Sequence, residues 1–194
     1  MSFDPLFEFE RALATYTGAP YAVVTDCCTH AIELCLRYDH VTYTELTAYT
    51  YLSIPQTLTN LGIGYRMKTE YWQNEYQFHN TRIWDSARRL EPGMYREGQL
   101  QCLSFGHGKP LELGRAGAIL LDNEHDHRAL SRMRADGRDL SLPMWWLQTV
   151  TEGYHYCATL ETCEKGIRML PFATQSQEWW HKKYPDCREL VTNY

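Results

Sequence analysis

The strongest constraint on this chain is the way strand-like and helix-like segments take turns along it. Asp4 followed by Pro5 starts a helix whose apolar positions Phe9, Leu13 and Tyr16 recur at helical spacing until Gly18 stops it. The short run Tyr21 to Thr25 reads as a strand, and Ala31, Leu34, Cys35 and Tyr38 mark one face of the next helix. Leu52 to Leu61 is expected to be helical and to end at Gly62. Gly64 to Met67, Thr81 to Trp84, Gln99 to Phe105 and Ala116 to Leu121 read as strands, several without the alternation of a half-exposed sheet. Asn123 caps a polar helix running to about Arg134, and Thr159 to Leu170 gives a last periodic segment. Such interleaving predicts a layered α/β architecture with a mainly parallel sheet. Tyr65 to Phe78 is polar and aromatic with no clear period, and the sequence assigns it no element.

At 194 residues, 44% of them hydrophobic, the chain has material for one sizeable core, so residues 1–194 are expected to form one domain. A formal net charge of -5 argues against coating nucleic acid by charge alone. The seven cysteines include no CxxC pair, and no signal peptide or long apolar run accompanies them. The expectation is a protein with reduced thiols in the cytoplasm, that of the host cell if virus-encoded, with no membrane partner.

Chemistry-bearing residues fall at strand ends. Asp85 ends a predicted strand in Ile83-Trp84-Asp85-Ser86-Ala87, where a carboxylate projects from the sheet edge at which open α/β folds bind ligands. Ser104-Phe105-Gly106-His107-Gly108-Lys109 ends another, so Lys109 approaches the same crevice, and the glycines let the backbone come close. Cys28 and Thr29 lie where a strand turns into a helix, so backbone N–H groups and the Thr29 hydroxyl can hold a phosphate. A lysine, an acid and a phosphate cradle are what pyridoxal 5'-phosphate (PLP) requires: an imine partner, a group that keeps the pyridine nitrogen protonated, and donors for the phosphate.

The order of segments resembles the DegT/DnrJ/EryC1/StrS family of sugar aminotransferase-like proteins. The likeness runs from Phe7-Glu8-Phe9-Glu10 and Tyr21-Ala22-Val23-Val24 through Cys28-Thr29-His30-Ala31-Ile32-Glu33-Leu34, Thr47-Ala48-Tyr49-Thr50-Tyr51 and Trp84-Asp85-Ser86-Ala87. It continues through Ser104 to Lys109, Gly114-Arg115-Ala116-Gly117-Ala118, Gly153-Tyr154-His155-Tyr156 and the segment from Glu164 to Leu170. The resemblance implies the large domain of a three-layer, fold-type-I PLP-dependent transferase with a reduced sheet. It implies Lys109 as the Schiff-base lysine and Asp85 as the pyridine-binding acid. Tyr51 would stack on the ring, Cys28, Thr29 and Ser104 would line the cofactor site, and His155 would reach a partner's cofactor in a homodimer. The chain departs from the family in the short stretch between Tyr51 and Asp85. It departs again in the tail of about two dozen residues after Leu170 (171–194), which stands where the family has its small domain. Arg88 stands where the family often has glutamine, and His155 where asparagine is usual.

The cofactor side is thus kept and the substrate side rebuilt. The favoured activity is formation of an external aldimine with an amino-acid-type substrate and its decarboxylation, Arg88 pairing with the carboxylate. A bulky scaffold such as a hypermodified nucleobase in viral DNA suits an open site and the tail Trp179-Trp180-His181-Lys182-Lys183-Tyr184, a candidate DNA contact. The alternatives are transamination of a keto sugar nucleotide and a PLP fold that binds without catalysis. No metal site is expected, since His107, His125 and His127 lack partners at ligand spacing, and Trp145-Trp146 reads as a packing or interface pair.

Overall fold

The structure is a computed structural model, and it describes residues 2–142, 146, 148–174 and 184–190. Helix α1 (Asp4–Thr17) starts with a proline in its first turn and ends at Gly18, whose φ of 74° is a left-handed conformation that glycine adopts without steric cost. Strand β1 (Tyr21–Thr25) leads into α2 (Cys28–Tyr38), β2 (Tyr43–Thr47), α3 (Ser53–Asn60), β3 (Gly64–Lys68), β4 (Tyr76–Gln77) and β5 (Ile83–Asp85). There follow β6 (Leu100–Ser104), β7 (Gly117–Leu121), α4 (Glu124–Met133) and α5 (Leu160–Met169). Asn123 caps α4 through its side chain, and Thr159 does the same for α5.

Five strands form one sheet in the order β1-β7-β6-β5-β4, and β2 and β3 form a parallel pair. An isolated bridge between Glu45 and His79 ties that pair to the strand edge beside β4. The expectation of a mainly parallel sheet needs correction. Within the five-stranded sheet only β5 and β6 are parallel, while β1–β7, β7–β6 and β5–β4 are antiparallel. The reason lies in the connections. Parallel neighbours need a crossover of a dozen or more residues, usually helical. The link from β4 to β5 is far shorter, and that from β6 to β7 contains no helix. Strands β1, β5 and β6 nonetheless run in one direction, so their C-terminal ends share an edge.

Both faces of the sheet are covered, which explains the lack of alternation. On one face Val23, Ile119, Leu121, Cys102, Leu100 and Ile83 pack with Ala31, Ile32, Leu34 and Cys35 of α2 and Leu130 of α4. On the other, Val24, Ala118, Leu120 and Leu103 pack with Leu6, Phe9 and Leu13 of α1 and Cys163 of α5. The result is the expected three layers. Helices α1 and α5 approach so closely that a Cβ on Gly166 would come within 2.5 Å of the Phe9 ring. No helix among the described residues is long and apolar enough to cross a membrane.

Candidate active site

The turn after β1, the residues after β2, the end of β5 and the loop after β6 converge on a cavity of about 350 Å³. It is lined by Cys27, Cys28, Thr29, Thr50, Tyr51, Ser53, Ile54, Trp72, Tyr76, Asp85, Ala87, Arg88, Ser104, Gly106, His107, Lys109 and Tyr184. This is the sheet edge at which open α/β folds bind ligands. Of the residues singled out in the sequence, Cys28, Thr29, Tyr51, Asp85, Arg88, Ser104 and Lys109 meet here. His155 does not. It stands on the surface, hydrogen-bonded to Asp136 at 3.1 Å.

Asp85 is buried, and its two oxygens are oriented by different partners: the Tyr76 hydroxyl donates to Oδ2 at 2.9 Å and the Ala87 N–H to Oδ1 at 3.0 Å. Tyr76 is held in turn by Thr50 at 2.5 Å. Burial pushes the Asp85 carboxyl above its ordinary range, against the pull of the Ala87 N–H and the charge of Lys109. A buried carboxylate in this condition favours a cationic partner, as a protonated ring nitrogen would be. Burial likewise lowers Lys109, and the nearby Arg88 guanidinium lowers it further. A lysine held below its ordinary range has more free amine available as a nucleophile.

Helix α2 points its first turn into the cavity. Its N-cap, Cys27, is extended and makes no side-chain cap, which suits an N-terminus that receives an anion. The Thr29 hydroxyl lies 2.8 Å from that of Ser53, so two hydroxyls stand beside this turn. Strand β7 packs directly beneath it, and a Cβ on Gly117 would lie 2.5 Å from the Cys27 carbonyl carbon and the Cys28 nitrogen. Since backbone cannot yield as a side-chain tip does, Gly117→Ala is expected to displace the turn. It should weaken binding of a phosphate-bearing ligand at this turn at least about tenfold, an overpacking cost of about 1–3 kcal/mol, as a titration with PLP followed by absorbance would show.

Just outside the turn, His30 Nδ1 and Asp26 Oδ1 are 2.6 Å apart, Tyr156 stacks on the imidazole at 3.7 Å, and Arg115 reaches Asp26 at 3.0 Å. Hydrogen bonds to Asp26 and Cys27 push His30 up to about 10. Because the folded-state value is raised, the contribution to stability is full below the unfolded value of about 6.5 and is lost as pH rises toward 10. Thermal unfolding at pH 6 and pH 10 should show this loss, about 1 kcal/mol for a partly exposed pair, and His30→Gln should lack it.

Asp26, Cys27 and His30 also form a group whose potential ligand atoms lie within 4.8 Å of one another. The 2.6 Å contact between His30 and Asp26 is a hydrogen bond. His107 instead pairs with Glu112 at 2.7 Å, His125 lies 3.2 Å from the Tyr38 hydroxyl and His127 stacks on Tyr21.

The sequence reading missed Thr50, Ser53, Trp72, Tyr76 and Tyr184 as site residues. Tyr76 and Trp72 fall in the stretch with no period, where β4 is two residues long and cannot display one. The nucleic-acid expectation for Trp179 to Tyr184 lies outside the described residues except at Tyr184, and the packing or interface expectation for Trp145-Trp146 lies outside them at Trp145.

The three-layer α/β fold is shared with PLP-dependent aminotransferases of known structure. The model of the DegT/DnrJ/EryC1/StrS aminotransferase family matches residues 4–65. AtS13 from Actinomadura melliaura superposes with a TM-score of 0.72 at 19% identity, over 89% of this chain and 61% of its own. The sugar aminotransferase CalS13 from Micromonospora echinospora gives 0.68 at 14%, over 86% and 60%. PseC from Helicobacter pylori, an aminotransferase involved in the biosynthesis of pseudoaminic acid, gives 0.65 at 14%, over 87% and 58%. The chain thus spans about three fifths of the length of these structures. No curated protein sequence matches it.

Proposed function

We propose that this chain binds PLP through Lys109 and acts on a substrate carrying a primary amine. The observation that carries the reading is the convergence, in one cavity, of a partly buried lysine, a buried aspartate and a helix N-terminus without a side-chain cap. When bound, PLP supplies an electron sink for breaking bonds at the amine-bearing carbon. The residues present fit that group. Asp85, kept in place by Tyr76 and Ala87, would hold a proton on the ring nitrogen, while Thr29, Ser53 and the first turn of α2 would bind the phosphate. Tyr51, an exposed aromatic on the cavity wall, would cover the ring. Lys109 would be the covalent anchor and, as a free amine, the base that moves protons.

The favoured reaction is decarboxylation of an amino acid carried on a bulky scaffold such as a hypermodified nucleobase in viral DNA. Arg88 lines the cavity beside Lys109, and a guanidinium matches the two oxygens of a carboxylate. A cavity of about 350 Å³, near the small end of ligand sites, takes the reacting end of such a substrate and leaves its scaffold outside. The second reading, transamination of a keto sugar nucleotide, is favoured by the family match over residues 4–65. Incubation with candidate amines separates them. Release of carbon dioxide is expected, and conversion of the cofactor to its amine form without carbon dioxide would reject the favoured reaction.

The chain is further proposed to act as a homodimer. The loop carrying His155 is pinned by hydrogen bonds from the Tyr154 N–H to Met133 and from the Tyr156 N–H to Arg134, so His155 is presented outward on a fixed mount. A monomer with full activity would contradict this role for His155.

A further inference from the structure

We infer that Asp26, Cys27 and His30 form a binding site for a zinc-type divalent cation, supplying one oxygen, one sulfur and one nitrogen ligand. The ligand atoms of the three side chains all lie within 4.8 Å of one another, and all three residues are partly exposed. The inference goes beyond the proposed PLP chemistry and does not depend on it.

The three residues come from one short stretch, Asp26-Cys27-Cys28-Thr29-His30, in which the turn after β1 gives way to α2. The spacing of four residues at the start of the helix brings Asp26 and His30 to the same side. Cys27 is the N-cap of α2, yet its side chain makes no cap, so the sulfur is not committed to the helix. The backbone on both sides is held. The Asp26 N–H donates to the Tyr156 carbonyl at 2.8 Å, and the Cys27 carbonyl accepts from the Ala31 N–H at 3.1 Å and from the Thr25 hydroxyl at 2.9 Å. Tyr156 stacks on the His30 ring with centroids 3.7 Å apart and sets its plane. Arg115 takes Asp26 Oδ2 at 3.0 Å, which leaves Oδ1 turned toward His30.

A mixed set of thiolate, imidazole and carboxylate suits zinc, whereas magnesium and calcium take oxygen ligands. Zinc bonds of about 2.0–2.3 Å set in a tetrahedron put ligand atoms roughly 3.3–3.6 Å apart. The 2.6 Å between His30 Nδ1 and Asp26 Oδ1 is a contact bridged by a proton, and it opens by under about 1 Å to admit the ion. Rotation of two partly exposed side chains supplies that much. The exchange balances. The ion takes the place of the proton shared by His30 and Asp26 and of the Cys27 thiol proton, both released to solvent, so the net charge of the cluster does not change. Three protein ligands leave the fourth position to water.

The test titrates the full chain, without PLP and kept reduced by a phosphine, with Co2+ as a coloured substitute for zinc. Wild type should give the near-ultraviolet charge-transfer band of a thiolate on cobalt, and Zn2+ should displace it. Cys27→Ser should abolish the band. His30→Gln should weaken binding at least about tenfold, since loss of a group that merely orients a ligand already costs about 10–100-fold. Cys157→Ser, at the other partly exposed cysteine, should change neither. Alkylation by iodoacetamide, read by mass spectrometry, gives the assignment without a substitution: Zn2+ should protect Cys27 and leave Cys157 as reactive as before. No charge-transfer band in wild type, a band kept by Cys27→Ser, or equal alkylation of Cys27 with and without Zn2+ would overturn the inference. Lys109 takes no part in either readout, so such a failure would leave the proposed function standing. A chain that binds cobalt as described but takes up no PLP would overturn that function and leave the metal site in place.

Discussion

Lys109→Ala is expected to lower turnover by at least about 10³-fold, which corresponds to about 4 kcal/mol of lost transition-state stabilisation, while the protein still folds. Lys109 lies in the loop after β6 and contributes to neither hydrophobic cluster. Its removal takes away the covalent anchor and the proton-moving amine together. Single-turnover kinetics on PLP-loaded wild type and variant, with circular dichroism as the control for fold, would measure it. Activity within tenfold of wild type would mean that another group does this work.

The second large effect concerns stability. Glu10 of α1 and Arg134, the residue that ends α4, form a buried ion pair across β1, and both bind the same residue there. Glu10 Oε1 accepts from the Val24 N–H at 2.8 Å, and Arg134 Nη1 donates to the Val24 carbonyl at 2.8 Å. Arg134 is 1% exposed. Glu10→Ala would leave that guanidinium buried without its carboxylate, at a cost of about 3–5 kcal/mol. Chemical denaturation should show a shift of that size. Replacing both partners, Glu10→Gln with Arg134→Met, should cost less than Glu10→Ala alone, because no uncompensated charge remains.

The parts of the molecule legible in the sequence are those where local chemistry and global fold agree. Gly18 announced the end of α1 because only a residue without a Cβ takes its left-handed turn readily. Strands β1 and β7 were legible as apolar runs, since helices cover both faces. Asp85 and Lys109 stood out through their places at strand ends, and Ser104 and Arg88 through the resemblance to the family; all four line the cavity. Strand direction was not legible, because a run of apolar residues carries no sign of whether its neighbour runs with or against it. The β2 strand was missed because Tyr43 is exposed and Thr44 and Thr47 are buried, so its polar residues face inward. Tyr76 and Tyr184 were missed for a further reason. Each owes its role to a partner far away in sequence, Thr50 for the first and Trp72 for the second.

The central claim, that Lys109 is the residue that holds PLP, is tested most directly by incubating the chain with PLP, reducing with borohydride and locating the modified peptide by mass spectrometry. The sequence contains five lysines, Lys68, Lys109, Lys165, Lys182 and Lys183, and of the described ones only Lys109 lines the cavity. The account predicts one stoichiometric adduct on Lys109, absent in Lys109→Ala. No adduct, or one spread over the other lysines and unchanged in that variant, would contradict it.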